Sequence, residues 1–396
     1  MSQRHVILRA GTSAPTTRSG TRGLPAPTAT AATRAAVAVE VEDLDPSRAR
    51  AIGRKNDVVA IAPVMPMKLI APVKVNVQPE AAGATATWGV HAVGADKSPF
   101  TGNGIVVAVL DTGIDPKHVA FKGVELVRKN FTNAGDDDEH GHGTHCAGTI
   151  FGRTVENKRI GVAPGVKKAM IGKVLGGNGG GSDIVMQAIQ WAANNGANVI
   201  SMSLGIDFPG FVAELKGQGV PIELATSMAL EGYRANVLLF ERLASLINAQ
   251  NLFMQATLLV AAAGNESQRD VNPEFEIAVS PPAVSDGIVS VAALGQGASG
   301  FSVAPFSNTG AKVSGPGVGI VSAKRGGGLT TMSGTSMATP HVAGVAALWA
   351  EKLTIAGQLN AQLLMTRLIG SATSAGIAAG TDPNDVGAGI VTAPPN

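Results

Sequence analysis

The stretch Ile105-Val106-Val107-Ala108-Val109-Leu110-Asp111-Thr112-Gly113 decides the fold. It opens with a continuous apolar run, mostly β-branched, with no polar residue alternating through it. Such a run suits a strand buried on both faces, the environment of a parallel sheet. Similar runs recur at Ala169–Val174, Ala197–Met202, Thr257–Ala262 and Ile288–Ala293, and helical patterns lie between them at His142–Phe151, Ser182–Asn194, Pro221–Gln250 and Thr335–Lys352. Strands alternating with helices predict an α/β domain with a largely parallel central sheet flanked by helices. The opening run ends on Asp111, at the carboxyl end of its strand, where open α/β sheets place their sites.

Upstream the pattern differs. Arg4–Leu8 reads as a strand, Gly11 to Thr33 as a Thr/Ala/Pro/Gly-rich loop, Ala36–Val41 as a second strand and Val58–Val64 as a third. Asp45–Lys55 reads as a helix, with Asp45 as N-cap and Pro46 at its first position. These elements make a small α+β N-terminal unit within residues 1–70. Met65 to Ala86, rich in Pro, Val and Ala without a period, reads as a connection. Residues 71–86 form the linker proper and 87–396 the larger domain.

Composition sets limits. The 396 residues are 45% hydrophobic and 15% charged, enough to build a sizeable core. Thirty-one basic residues against 29 acidic ones give a net charge of +2, and no Lys/Arg stripe interleaves with aromatics. Nothing there suits nucleic acid. No run approaches the roughly 18 apolar residues of a membrane span. Met1–Gly20 lacks the roughly 7–15-residue apolar core of a secretory signal, so a cytoplasmic protein is expected, with secretion left open. Cys146 is the single cysteine and rules out an intrachain disulfide.

Three segments carry chemistry: Val109–Gly113 with Asp111, His142-Gly143-Thr144-His145, and Gly334-Thr335-Ser336-Met337-Ala338-Thr339-Pro340-His341. Singly, Asp111 could cap a turn, His142 could merely open a helix and Ser336 could be an N-cap. Together they supply a nucleophile, a base and the carboxylate that orients the base. A serine at a helix N-terminus also has backbone N–H groups and a favourable dipole for a developing oxyanion.

These segments resemble the three signature regions of the subtilisin-like serine proteases, the subtilases. Gly161-Val162-Ala163-Pro164, Lys173-Val174-Leu175, Ser203-Leu204-Gly205, Ala261-Ala262-Ala263-Gly264-Asn265 and Asp385–Ile390 resemble further family segments in order, so the likeness covers about Thr87 to Pro395. It implies a serine endopeptidase with Asp111, His142 and Ser336 as triad. The oxyanion hole would come from the Asn265 side chain and the Ser336 N–H. An extended peptide or protein substrate would lie between Gly179-Gly180-Gly181 and Ser203-Leu204-Gly205. Ala262, Ala263 and Gly264 would wall the pocket for the residue before the cut, with Ser280 at its base, which favours an apolar side chain there. The unit from Arg4 to Ile70 resembles the family's inhibitory propeptide. That likeness implies a self-inhibited, self-processing zymogen, with the pro-segment as intramolecular inhibitor and the cut between Met65 and Ala86.

Other readings compete. One is an inactive scaffold that only binds peptides; another is a metal site on His140, His142 and His145. No cofactor is required for the chemistry. Structural calcium is conceivable, for instance at Asp136–Glu139, but no ligands are assigned. Arg153–Arg159 departs from the oxygen-rich calcium loop of many subtilases. Cys146 reads as a small buried hydrophobe near His142. The connection from Gly205 to Thr257 is longer than is usual in the family. Its stripe of Leu224, Met228, Leu238, Leu239, Leu243, Leu246 and Ile247 is expected to pack on the domain's own body.

Overall fold

A computed structural model describes residues 2–10, 37–75, 83–177, 179–250 and 256–396. The expected loop from Gly11 to Thr33 and part of the expected linker, residues 76–82, lie outside the described residues.

The deciding run forms the strand Val106–Asp111 inside an eight-stranded sheet. From one edge the order runs Gly300–Val303, Ile288–Gly297, Leu258–Ala262, Val199–Met202, Val106–Asp111, Lys168–Lys173 and Glu125–Asn130, and Val313–Pro316 also pairs with Ile288–Gly297. Every pairing is parallel except that of Gly300–Val303. Successive residues of the central strand feed opposite faces. Val107 and Val109 enter one core with residues of the helices His142–Phe151 and Thr335–Ile355. Ala108 and Leu110 enter a second core with residues of the helices Ser182–Asn194 and Ile222–Gln250. Burial on both faces is why the run needs no polar residue. Among the described residues no helix is long and apolar enough to cross a membrane.

The N-terminal unit is a three-stranded antiparallel sheet, Val37–Leu44, Gln3–Ala10 and Val58–Pro63 in spatial order, with the helix Pro46–Gly53. Asp45 caps that helix, accepting from the N–H of Ser47 at 2.8 Å and of Arg48 at 2.9 Å. Among the described residues its private core has Ile7, Leu44 and Ile52 buried. The opposite sheet face, with Val6, Leu8, Ala60 and Ala62, belongs to the second core of the large domain. So small a core does not hold such a unit by itself.

Three expectations change here. Pro66–Leu69, read as part of a connection, is a strand, since it pairs on both sides with the large domain. The helix Phe208–Gly217 was hidden by its Pro and Gly content and is capped by Asp207. The long helix Ile222–Gln250 packs on the strand Val58–Pro63 of the N-terminal unit as well as on its own domain. Its buried stripe is also turned from the expected one. Leu239, Leu243 and Ile247 are buried with Ala225, Ala229, Phe240 and Ala244, whereas Leu224 and Leu238 are 52% and 43% exposed.

Candidate active site

Asp111 ends its strand and His142 begins its helix, so the end of the strand meets the start of the helix at the carboxyl edge of the sheet. The His142 Nδ1–H donates to Asp111 Oδ1 at 2.8 Å, and both side chains are fully buried. The Thr112 N–H donates to the same oxygen at 2.7 Å. Gly143 permits this approach: a Cβ there would stand 2.2 Å from the Gly113 carbonyl oxygen. Burial opposes charge on His142, but the Asp111 carboxylate and, after it, the Cys146 sulfur together outweigh burial, and the imidazole pKa rises well above its ordinary value. Cys146 Sγ lies 3.7 Å from His142 Nδ1, and burial pushes its pKa up, so it stays a neutral thiol.

Asp138 binds this corner together. Its Oδ1 accepts from Thr112 Oγ1 at 2.9 Å and from the N–H groups of His140 and Gly141; its Oδ2 accepts from both the N–H and the hydroxyl of Thr144. Burial raises the Asp138 pKa, but these donors, Thr144 first, outweigh it and hold the carboxyl below its usual range. In the sequence Asp138 is one of four consecutive acids, with nothing to mark it. The others also have partners: Asp136 accepts from Asn130, Asp137 pairs with Arg128 and Glu139 lies 3.7 Å from Lys173.

Ser336 stands in the first turn of its helix, where N–H groups have no partner within the helix. Its Oγ–H donates to the Ile70 carbonyl at 2.7 Å. His142 Nε2 is buried with no hydrogen-bond partner among the described residues. Asn265 is held by Thr335, whose N–H and hydroxyl both donate to Asn265 Oδ1, at 2.9 and 2.8 Å. That fixes the amide's orientation and turns Nδ2 into the cleft, where it donates to the Ala71 carbonyl at 2.9 Å. Thr335 sits beside the predicted serine, yet this duty shows only in three dimensions.

The cleft holds the strand Pro66–Leu69, antiparallel to Gly180–Gly181 on one side and to Leu204–Ile206 on the other. Met67 faces Gly180, Lys68 faces Gly205 and Leu69 faces Leu204. The Ile70 N–H continues the ladder to the Ser203 carbonyl at 3.4 Å, and beyond the site the Val73 N–H donates to the Ser333 carbonyl at 2.8 Å. Gly179 has a positive φ, and a Cβ there would meet the Met67 carbonyl at 2.7 Å. At Gly205 a Cβ would lie 3.2 Å from Ser280 Oγ and 3.7 Å from the buried Ile70 side chain, so Gly205 and Ser280 border the space that Ile70 fills. The Ser280 N–H donates to the Ala263 carbonyl, the Gly264 N–H donates to Thr335 Oγ1, and Ala262 and Ala263 are fully buried.

The three histidines considered as a metal site do not converge. His145 Nε2–H donates to the Ile320 carbonyl at 3.0 Å, and burial lowers its pKa to about 3. The one group among the described residues with three potential ligand atoms within 4.8 Å is Asp111, His142 and Cys146.

The sequence pattern of the subtilase family matches residues 102–389. A "Thermostable alkaline protease" of Halalkalibacterium halodurans is 37% identical over 270 residues, 67% of this chain; the match spans 62% of that protein, so the chain covers about three fifths of its length. "Subtilisin DY" of Bacillus licheniformis is 31% identical over 74% of this chain and 93% of its own length. Among solved structures, "Sphericase" superposes with a TM-score of 0.58 at 27% identity, covering 79% of this chain and 99% of that one.

Proposed function

The chain belongs to the subtilase family, and on that premise we propose that it is a serine endopeptidase made as a self-inhibited, self-processing zymogen. One observation carries this reading: the strand Pro66–Leu69 lies in the cleft as a peptide would, with Ser336 Oγ on the Ile70 carbonyl. Recognition by added strand pairing needs backbone on both sides and little side chain, which the Gly180–Gly181 and Ser203–Gly205 segments supply.

In the proposed reaction Ser336 Oγ attacks the carbonyl carbon of the scissile bond while His142 Nε2 takes its proton. Asp111 holds the ring with Nδ1–H toward itself, leaving Nε2 free to accept, and stabilises the imidazolium that forms. The carbonyl oxygen becomes an oxyanion and is met by Asn265 Nδ2 and the Ser336 N–H. Collapse breaks the C–N bond, and the leaving amine takes the proton from His142. Water, deprotonated by the same imidazole, then releases the acyl group from Ser336.

In the closed chain the two requirements fall on different carbonyls. Ser336 Oγ addresses Ile70, whereas Asn265 Nδ2 addresses Ala71. Attack at Ile70 lacks the Asn265 donor, and the Ala71 carbonyl belongs to a bond to Pro72, a tertiary amide. Self-processing therefore waits until the Ile70 carbonyl moves onto Asn265, after which the cut falls between Ile70 and Ala71. The burial of Ile70 supports an apolar preference before the cut.

Intact-mass spectrometry of the full chain beside Ser336→Ala tests this. The unaltered chain is expected to lose everything up to Ile70, and the variant to stay whole. If both stay whole and a fluorophosphonate fails to label Ser336 even without the N-terminal unit, the inactive peptide-binding scaffold takes the place of this reading.

A further inference from the structure

The residue facing Gly205 in the cleft is Lys68, two positions before Ile70. Its ammonium lies 3.3 Å from Asp207 Oδ1 and 3.8 Å from Glu266 Oε1. These acids come from separate segments: Asp207 opens the insert just past the Leu204–Ile206 rim, and Glu266 directly follows Asn265. Each is held in place by another contact. Asp207 is the N-cap of the helix Phe208–Gly217, where its Oδ1 accepts from the Gly210 N–H at 3.3 Å and the helix dipole favours a negative charge. The Asp207 N–H also donates to the Pro66 carbonyl, tying its backbone to the cleft strand. Glu266 Oε2 accepts from Asn308 Nδ2 at 2.8 Å, which leaves Oε1 for the ammonium. Each carboxylate thus has a side-chain contact that does not depend on Lys68.

We propose that Asp207 and Glu266 form a subsite that selects Lys or Arg two residues upstream of the residue before the cut, the position that Ile70 holds here. Given the endopeptidase reading on which it rests, the preferred substrates carry a basic side chain there and an apolar residue before the cut. Lys68 is the intramolecular occupant of this subsite. The three side chains are partly exposed (40%, 31% and 38%), so the pair is screened by water and salt and its effect is moderate.

The first test needs no catalysis. In the full chain carrying Ser336→Ala, Lys68→Gln is expected to speed hydrogen exchange at the Met67–Ile70 amides by about three- to tenfold. The same change should add nothing once Asp207→Asn and Glu266→Gln are present, substitutions that keep the cap and the Asn308 contact. Unchanged exchange on Lys68→Gln overturns the subsite. The second test uses the self-processed chain, its active sites counted by fluorophosphonate, on peptides ending Met-Lys-Leu-Ile, Met-Gln-Leu-Ile or Met-Glu-Leu-Ile before the cut. The Lys peptide should exceed the Gln peptide in kcat/KM by about three- to tenfold, with Glu lowest, and the gap should close in roughly 0.5 M salt. Cleavage of all three at equal rates overturns the selection. Coupling in the exchange experiment without cleavage of any peptide upholds the subsite and sinks the endopeptidase reading instead.

Discussion

Two regions meet beside the Ser336 helix, and they are built on opposite plans. In the corner of Asp111, His142 and Asn265, each task rests on one or two atoms: a 2.8 Å contact orients the imidazole, and Thr335 alone aims the Asn265 amide. The seat of the N-terminal unit is spread out. Val6, Leu8, Ala60, Ala62 and Met65 share one core with the helices Ser182–Asn194 and Ile222–Gln250. Polar ties among the described residues include Asn236 Nδ2 to the Pro63 carbonyl at 2.8 Å, Ser182 to the Met65 backbone and Arg4 to Asp183 at 2.8 Å. Geometry that serves a reaction is lost with one atom, whereas affinity built from apolar area declines in steps of a few kcal/mol. The comparison can be tested at both ends.

The largest effect belongs to Ser336→Ala, expected to lower kcat by about 10⁶ while leaving the fold intact, since the change removes one atom from an occupied cleft. Activity assays beside thermal melting check both halves. Next comes Asp111→Asn, at about 10⁴ in kcat, because the ring loses the acceptor that fixes its tautomer. Its pH profile sharpens the point. In the strand-filled cleft the His142 pKa lies above its ordinary 6.5, and the base works only when neutral. The wild-type kcat should therefore fall with acid already above pH 6.5. Without the carboxylate the opposing effect of burial remains, so the same limb should move to lower pH in Asp111→Asn. A limb that stays put would show that Asp111 does not govern the charge on His142.

At the other end stands Met65→Ala. The fully buried Met65 side chain belongs to the shared core, while its backbone bonds to Ser182 survive the change. A cost of about 2–3 kcal/mol should loosen the N-terminal unit and speed fluorophosphonate labelling of the uncut chain by roughly 30- to 200-fold. Labelling at the unaltered rate would mean that the seat tolerates a cavity, and that inhibition rests on the cleft strand alone.

The sequence was readable where one segment determines its own surroundings. The run ending in Asp111 needed only its β-branched content to be placed between two cores, and the Asp45-Pro46 helix start carried its own cap. The edge strand Glu125–Asn130, sequence ELVRKN, has no apolar run because one of its sides faces solvent. Asp138, Thr335, Asp207 and Glu266 were illegible for a different reason. The contacts that tie them to the site reach far along the chain: Asp138 to Thr112, Thr335 to Asn265, Asp207 to Lys68, Glu266 to Asn308. A polar side chain in a single sequence does not announce what it will meet.

The smallest expected effect tests the helix on which the N-terminal unit sits. Leu238 and Leu239 are neighbours in the helix Ile222–Gln250, and both entered the apolar stripe read from the sequence. Adjacent helical residues point about 100° apart, so at the edge of a buried face one neighbour can be covered and the next left out. Here Leu239 is in the core and Leu238 is 43% exposed. Leu239→Ala should cost about 2–5 kcal/mol in chemical denaturation, and Leu238→Ala about 0.5 kcal/mol or less. The order of the two costs matters more than their size, because both substitutions remove the same atoms from the same helix. If Leu238→Ala proved as costly as Leu239→Ala, the outer face of this helix would have to be covered in solution, and the seat would extend to a surface that this chain alone leaves open.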